Sequence, residues 1–383
     1  MNRRQLLAGA GAVFAVGSWG AGEPSKNPSP LCPSPRSAPI WTASPASPSA
    51  PAPSARSARC IEAEKFDAKT VIHNYGHGGS GWSLSWGSGT IATEMAMATG
   101  EKDIAVIGCG ALGLSAAILL QRAGATVTIY AKDLPPNVRS SLASGLWTPS
   151  SRICFEENAT PVLKQQWERM CRIAHTTYQT LLGLPGDPIE WIDSYFISDE
   201  ARGQRRRERP ADGRPAFAQL ERELVPDLLR APQEYGPGSH LFGPRWVYRN
   251  STIMFNVSAY SIFLISQFRE AGGKIVIREF RSPHELAALR QETIVNCTGY
   301  AAKALFGDQS LIPVRGQLAR GITQPDVCYS LFYKGVSFVP RRDGQVYQVV
   351  GDSDYYGFDD ETTQPDRAEA EKAVATIASL FEV

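Results

Sequence analysis

The chain has 383 residues, 43% of them hydrophobic and 20% charged, with a formal net charge of +1 at pH 7. That length can bury a large core and fits two domains, or one carrying an inserted subdomain. Near-neutral charge, without a basic stripe interleaved with aromatics, gives no argument for a nucleic-acid partner.

The N-terminus reads Asn2-Arg3-Arg4-Gln5-Leu6-Leu7 followed by the weakly apolar Ala8–Val16. This is the pattern of a bacterial twin-arginine export signal over 1–22, too short to span a bilayer, with small residues at Ala21-Gly22 for cleavage. It predicts a periplasmic or extracellular protein that meets the export machinery transiently and keeps no stable membrane anchor. Residues 23–59 are rich in Pro, Ser and Ala and predict an arm of low order. The seven cysteines are scattered with no CxxC spacing, so neither a zinc site nor a disulfide framework is expected.

Residues 71–89 hold six glycines, two histidines and two tryptophans. The pattern predicts a glycine-rich ligand loop feeding a helix over Thr90–Thr99, with free N–H donors at the helix start. Asp103–Ile107 is a buried-strand pattern, Leu114–Arg122 a helix stopped by Gly124, and Thr126–Tyr130 a second strand, which together open a βαβ unit. Further along come an amphipathic helix over Thr160–Leu182 and an alternating strand over Ile189–Ile197. The arginine-rich run Arg202–Arg209 reads as a solvated loop. Asn256–Arg269 is helical, Lys274–Ile277 and Thr293–Gly299 are strands, and Val336–Val350 is a hairpin turned at Asp343-Gly344. A helix over Asp366–Phe381 closes the pattern.

Between the first strand and helix stands Gly108-Cys109-Gly110-Ala111-Leu112-Gly113, and Asp133 lies 20 positions after Gly113. In that setting the glycines admit a pyrophosphate at the helix start and the acid can meet a ribose. The fingerprint alone does not separate FAD from NAD.

The run from His73-Asn74-Tyr75-Gly76-His77-Gly78-Gly79 to Leu84-Ser85-Trp86-Gly87 resembles the segment with which FAD-dependent D-amino-acid oxidases close over their flavin. Three later segments are similar to the same family. They are Lys132-Asp133 at the second-strand exit, Ser140-Ser141 with Ser144-Gly145-Leu146-Trp147, and Val295–Gly299 with Val314–Gln317. The resemblance implies an α/β fold, a Rossmann-type FAD-binding domain with an inserted antiparallel-sheet substrate domain. It would place FAD against Gly108, Cys109, Gly110, Leu112, Gly113, Lys132, Asp133, Ser140, Ser141, Ser144, Gly145, Leu146 and Phe280, and against Gly78, Gly79, Trp82 and Ser83. It implies hydride transfer from the Cα of a D-amino acid to flavin N5, then reoxidation by O2 to H2O2, giving a 2-oxo acid and ammonia. The catalytic contacts would be the Gly79 carbonyl, facing the substrate amine, and Tyr333 as a lid tyrosine. In the family the glycine-rich segment lies near the C-terminus, and here it precedes the fingerprint, so a circular permutation is expected. The expected boundaries are 60–160 with 256–320 for the FAD domain, 161–255 with 321–365 for the substrate domain, and a C-terminal helix over 366–383.

The sequence departs from the family where the substrate carboxylate is gripped. The family's Leu/Phe-Arg-Pro arginine aligns with Pro53, although Arg56 and Arg59 are near, and Ser337 stands where a tyrosine is usual. One reading is a frame-slipped stretch over about 33–59. The alternative function is a flavin-binding protein that has lost turnover with this segment.

Overall fold

The computed structural model describes residues 61–201, 213–351 and 353–381, together with the backbone of 42–43 and 47–49. The export signal, Pro53, Arg56, Arg59 and the Arg202–Arg209 run lie outside the described residues.

Two large sheets carry the fold. The first has six strands in the order Lys274–Ile277, Thr126–Ala131, Asp103–Ile107, Thr293–Asn296, Lys69–Asn74 and Ile61–Phe66. All its pairings are parallel except the last, an antiparallel hairpin between Ile61–Phe66 and Lys69–Asn74. Its central strands are continuous apolar runs, as strands covered on both faces must be: Ile104, Ala105 and Val106 are each 0% exposed. The second sheet has eight strands, in the order 42–43, 318–321, 344–349, 336–341, 329–333, 189–198, 246–255 and 233–235. It was expected to be antiparallel. The structure corrects this at one pairing, since Tyr329–Tyr333 runs parallel to Ile189–Ser198. The arm expected to lack order also carries two short strands: Thr42–Ala43 pairs with Arg320 and Ala319, and Ser47–Ser49 pairs with Val314–Gly316. Cys328 is disulfide-bonded, against the expectation of no disulfide, whereas Cys109, Cys154, Cys171 and Cys297 are free and buried.

The glycine-rich segment is not a loop. Lys69–Asn74 is a strand, Gly78–Ser80 a single 3-10 turn, and Gly81–Met97 one continuous helix with Gly87 and Gly89 inside it. Glycine normally weakens a helix interior by about 1 kcal/mol relative to alanine. Here close packing is the reason for it. A Cβ on Gly87 would stand 2.0 Å from the Met170 carbonyl oxygen of helix Pro161–Gln179, and one on Gly89 would stand 3.2 Å from the Ala116 nitrogen of helix Ala111–Arg122. The glycines therefore let three helices cross backbone to backbone. Gly87→Ala is expected to lower stability by about 2–3 kcal/mol because rigid backbone must move. Gly89→Ala should cost less, since its nearest neighbour is the Leu119 Cδ1 methyl at 3.0 Å, which can turn aside. Thermal unfolding of the two variants checks the order.

Candidate functional site

The parallel strand Asp103–Ile107 ends in a turn that only glycines can make. Gly108 has φ +105°, and a Cβ there would lie 2.5 Å from the Cys297 carbonyl oxygen of the adjacent strand exit. Gly110 is the N-cap of helix Ala111–Arg122, with no side-chain cap and no acidic residue in the first turn. A Cβ on Gly113 would meet the Gly108 carbonyl oxygen at 2.1 Å, so this glycine serves helix-to-strand approach. The N-terminus presents the N–H groups of the first turn and the positive end of the helix dipole. Of these, the Ala111 N–H donates to Ser140 Oγ at 3.0 Å.

Three further segments converge on this turn. At the second-strand exit Lys132 and Asp133 flank it, and Lys132 Nζ pairs with Glu279 Oε1 at 3.3 Å. Glu279 was not foreseen from sequence. The 140–148 segment is stitched to the glycine-rich segment: Trp82 Nε1 donates to the Ser140 carbonyl at 2.7 Å, the Thr148 N–H to Ser83 Oγ at 2.8 Å, and Ser80 Oγ to the Thr148 carbonyl at 2.7 Å. Gly145, at φ +98°, accepts from the Phe255 N–H at 2.7 Å, which ties the same segment to the second sheet. Behind it Arg341, fully buried, donates through Nη1 to the Ala143 carbonyl at 2.6 Å and through Nε to Asp343 Oδ1 at 2.7 Å.

The result is one continuous cavity of about 2270 Å³. That exceeds the few hundred to 1,000 Å³ typical of a drug-sized ligand site and leaves room for a dinucleotide with a second small molecule. Gly78, Gly79, Trp82, Ser83, Gly108, Cys109, Gly110, Leu112, Lys132, Asp133, Ser140, Ser144, Gly145, Leu146 and Phe280 all line it, as expected of a cofactor site. Gly113 and Ser141 do not: Gly113 is turned to the strand, and the Ser141 carbonyl accepts from Arg320 Nη2 at 3.2 Å behind the wall. Tyr333 is the clearest correction. It is 2% exposed and off the cavity, its hydroxyl donating to Asp199 Oδ1 at 2.9 Å and accepting from Arg245 Nε at 3.1 Å. The cavity instead takes Leu331 and Phe332 from that strand, with Phe332 stacked on Phe196 at 4.9 Å. Ser337 lines the cavity, and Tyr248, Tyr355 and Arg152, none of them foreseen, line it too.

The electrostatics favour dipoles over charges near the fingerprint. Burial pushes the Cys109 and Cys297 thiols up to about 12, so both stay protonated. Burial pushes His77 down to about 4, opposed weakly by the Tyr75 backbone, and neither ring nitrogen reaches hydrogen-bonding geometry with a described residue. A histidine depressed in this way contributes stability that is complete above its unfolded pKa of 6.5 and is lost as pH falls toward 4. The apoprotein is therefore expected to weaken on acidification through that window, and His77→Gln to flatten the decline. Unfolding midpoints in denaturant at pH 7.5 and pH 4.5 read the difference.

These features fit FAD: a helix N-terminus free of acidic residues for the pyrophosphate, a cradle at Gly108 and Gly110 that a Cβ would fill, and an orphaned buried histidine on the cavity wall. The DAO family, described as FAD dependent oxidoreductase, matches residues 103–383. A D-amino-acid oxidase of Rubrobacter xylanophilus is 29% identical over 279 residues, covering 72% of this chain and 76% of that protein. A D-amino-acid oxidase of Dictyostelium discoideum is 28% identical over 282 residues, covering 73% and 74%. Among solved structures, the L-amino acid deaminase of Proteus vulgaris lacking its specific insertion sequence superposes with a TM-score of 0.50 at 13% identity, over 73% of this chain and 74% of that one. This last likeness concerns the fold alone. FAD is the cofactor, and the chain belongs to the DAO family of FAD dependent oxidoreductases.

Proposed function

We propose that the chain oxidises a D-amino acid to its 2-oxo acid, with O2 as the final oxidant and H2O2 and ammonia as the other products. The observation that carries this reading is that the glycine-rich segment and the fingerprint, joined by the helix Gly81–Met97 and the strand Asp103–Ile107, line one cavity with an aromatic wall from the second sheet. When bound, FAD supplies a two-electron acceptor that takes the substrate hydride and passes the electrons to O2. The chain's own work is placement. Gly79 offers its carbonyl to the substrate amine, while Phe196, Phe332 and Leu331 keep water from the reacting carbon. His77 stays neutral and the two thiols stay protonated, so the fingerprint wall supplies no proton of its own at pH 7.

Residues 60–160 and 256–320 make the FAD-binding domain in this reading, and 161–255 with 321–365 the substrate domain. The order of segments is a circular permutation, supported by a family match that begins at 103, after the glycine-rich helix. Export follows from the twin-arginine pattern, and a disulfide at Cys328 suits an oxidising compartment. Peroxide release from the FAD-loaded protein across a panel of D-amino acids tests the activity. Bound flavin with silence across the panel would favour a flavin-binding protein without turnover.

A further inference from the structure

We propose that Arg152 grips the substrate carboxylate in this chain, taking the place of the arginine that is absent at Pro53. The proposal rests on the amino-acid-oxidase reading above.

Arg152 sits at φ +54°, in the left-handed region that a long side chain rarely adopts. Such a backbone is strained and persists where its surroundings over-determine it, most often at ligand sites. The surroundings here are the glycine-rich segment itself. The Gly79 N–H donates to the Ser151 carbonyl at 2.8 Å, and the Arg152 carbonyl oxygen lies only 2.3 Å from where a Gly78 Cβ would be. Arg152 is thus fixed in position beside Gly79, which would meet the substrate amine.

The side chain lines the cavity and is half-buried. Its Nε donates to the Asp354 carbonyl at 2.7 Å, and no carboxylate among the described residues lies within ion-pairing distance of it. Burial lowers its pKa, and Asp354 draws it back, but an arginine remains charged at any ordinary pH. A cation held in a cleft with its nearest acidic neighbour, Asp354, beyond ion-pairing distance calls for an anionic ligand. With Nε already engaged, the edge formed by the two terminal nitrogens is left for a bidentate carboxylate.

Other arginines of the same cavity are committed elsewhere. Arg139 lies over the Tyr300 ring at 5.7 Å, Arg214 over Tyr355 at 4.0 Å, Arg230 over Trp191 at 5.6 Å and Arg278 over Phe280 at 4.6 Å. Arg222 lines the cavity but is exposed.

The test compares the wild type with Arg152→Gly and Arg152→Lys, all loaded with FAD. Glycine accepts φ +54° without strain, so this deletion removes the side chain and spares the turn. Each protein is titrated calorimetrically with pyruvate, a 2-oxo acid, and with pyruvamide, which has the same shape without the charge. The expected result is unchanged flavin content and melting temperature, with pyruvate binding weakened tenfold or more in Arg152→Gly and less in Arg152→Lys. Pyruvamide should bind all three alike, and Arg222→Ala should bind pyruvate as the wild type does. Unchanged pyruvate affinity in Arg152→Gly overturns the assignment, and so does loss of flavin, which would make Arg152 a cofactor ligand. A wild type that binds pyruvate while Arg152→Gly binds it equally well fails the arginine alone. A wild type that holds FAD yet binds no 2-oxo acid and oxidises no D-amino acid fails both readings.

Discussion

Gly108→Val is expected to yield protein that holds no FAD and is less stable by about 3 kcal/mol or more. Two costs combine at this position. The backbone stands at φ +105°, which valine cannot adopt without strain, and its Cβ would fall 2.5 Å from the Cys297 carbonyl oxygen. That carbonyl cannot retreat, because the Cys297 N–H is bonded to the Ile107 carbonyl at 2.8 Å and the Gly108 N–H to the Tyr130 carbonyl at 2.8 Å. Valine would have to push apart the central strands that aim the helix N-terminus. Gly124→Ala separates the two costs. Gly124 shares the left-handed backbone, φ +90°, but has nothing within 4 Å of its would-be Cβ. It should lose only about 1 kcal/mol and keep its flavin. The ratio of flavin to protein absorbance, with unfolding curves, distinguishes the outcomes.

Arg341→Leu comes next in size, at about 3–5 kcal/mol, because it leaves a carboxylate inside the protein without its counter-ion. Asp343 would keep only the Ser258 hydroxyl and its distant neighbours, and the Ala143 carbonyl would lose its donor. The damage should reach the cavity, since Ala143 belongs to the wall between Ser140 and Leu146. Weaker FAD binding is expected together with lower stability. Replacing both partners by apolar residues, Arg341→Met with Asp343→Val, should recover much of the stability. Acid gives a second signature. Burial raises the Asp343 carboxyl, but the Arg341 guanidinium, the Ser258 hydroxyl and Arg320 outweigh it and hold it below its ordinary 3.8. Its contribution is complete above that value and is lost as pH falls through the lowered one. The stability gap between wild type and Arg341→Leu should therefore narrow as pH drops below about 4.

What the sequence disclosed and what it hid divide along a physical line. The fingerprint was legible because strand, turn and helix are consecutive, so Gly108, Gly110 and Asp133 carry their meaning locally. The 81–97 helix was misread because glycine density signals a loop. Only the crossing of helices from 111–122 and 161–179 explains Gly87 and Gly89, and that crossing is not written near them. Tyr333 failed for a similar reason: its partners Asp199 and Arg245 lie 134 and 88 positions away, each just beyond a strand end, and they draw the hydroxyl off the cavity. Arg152 gave no signal at all. Its interest lies in a positive φ and in an acidic neighbour beyond ion-pairing distance, neither of which a run such as Ser150-Ser151-Arg152 announces.

The hairpin strand Ile61–Phe66 has a bearing on how copies of this chain meet. Among the described residues it closes one side of the six-stranded sheet, pairing only with Lys69–Asn74. Its outer backbone groups would template a foreign strand, yet Glu62, Glu64 and Lys65 are all exposed along it. An incoming strand would have to strip water from three charges within six residues. The opposite side, Lys274–Ile277, leaves Val276 40% and Ile277 64% exposed. Aggregation by sheet extension is thus blocked at one border of the sheet and directed to the other, where a single lysine on Ile277, Ile277→Lys, would be enough to discourage it.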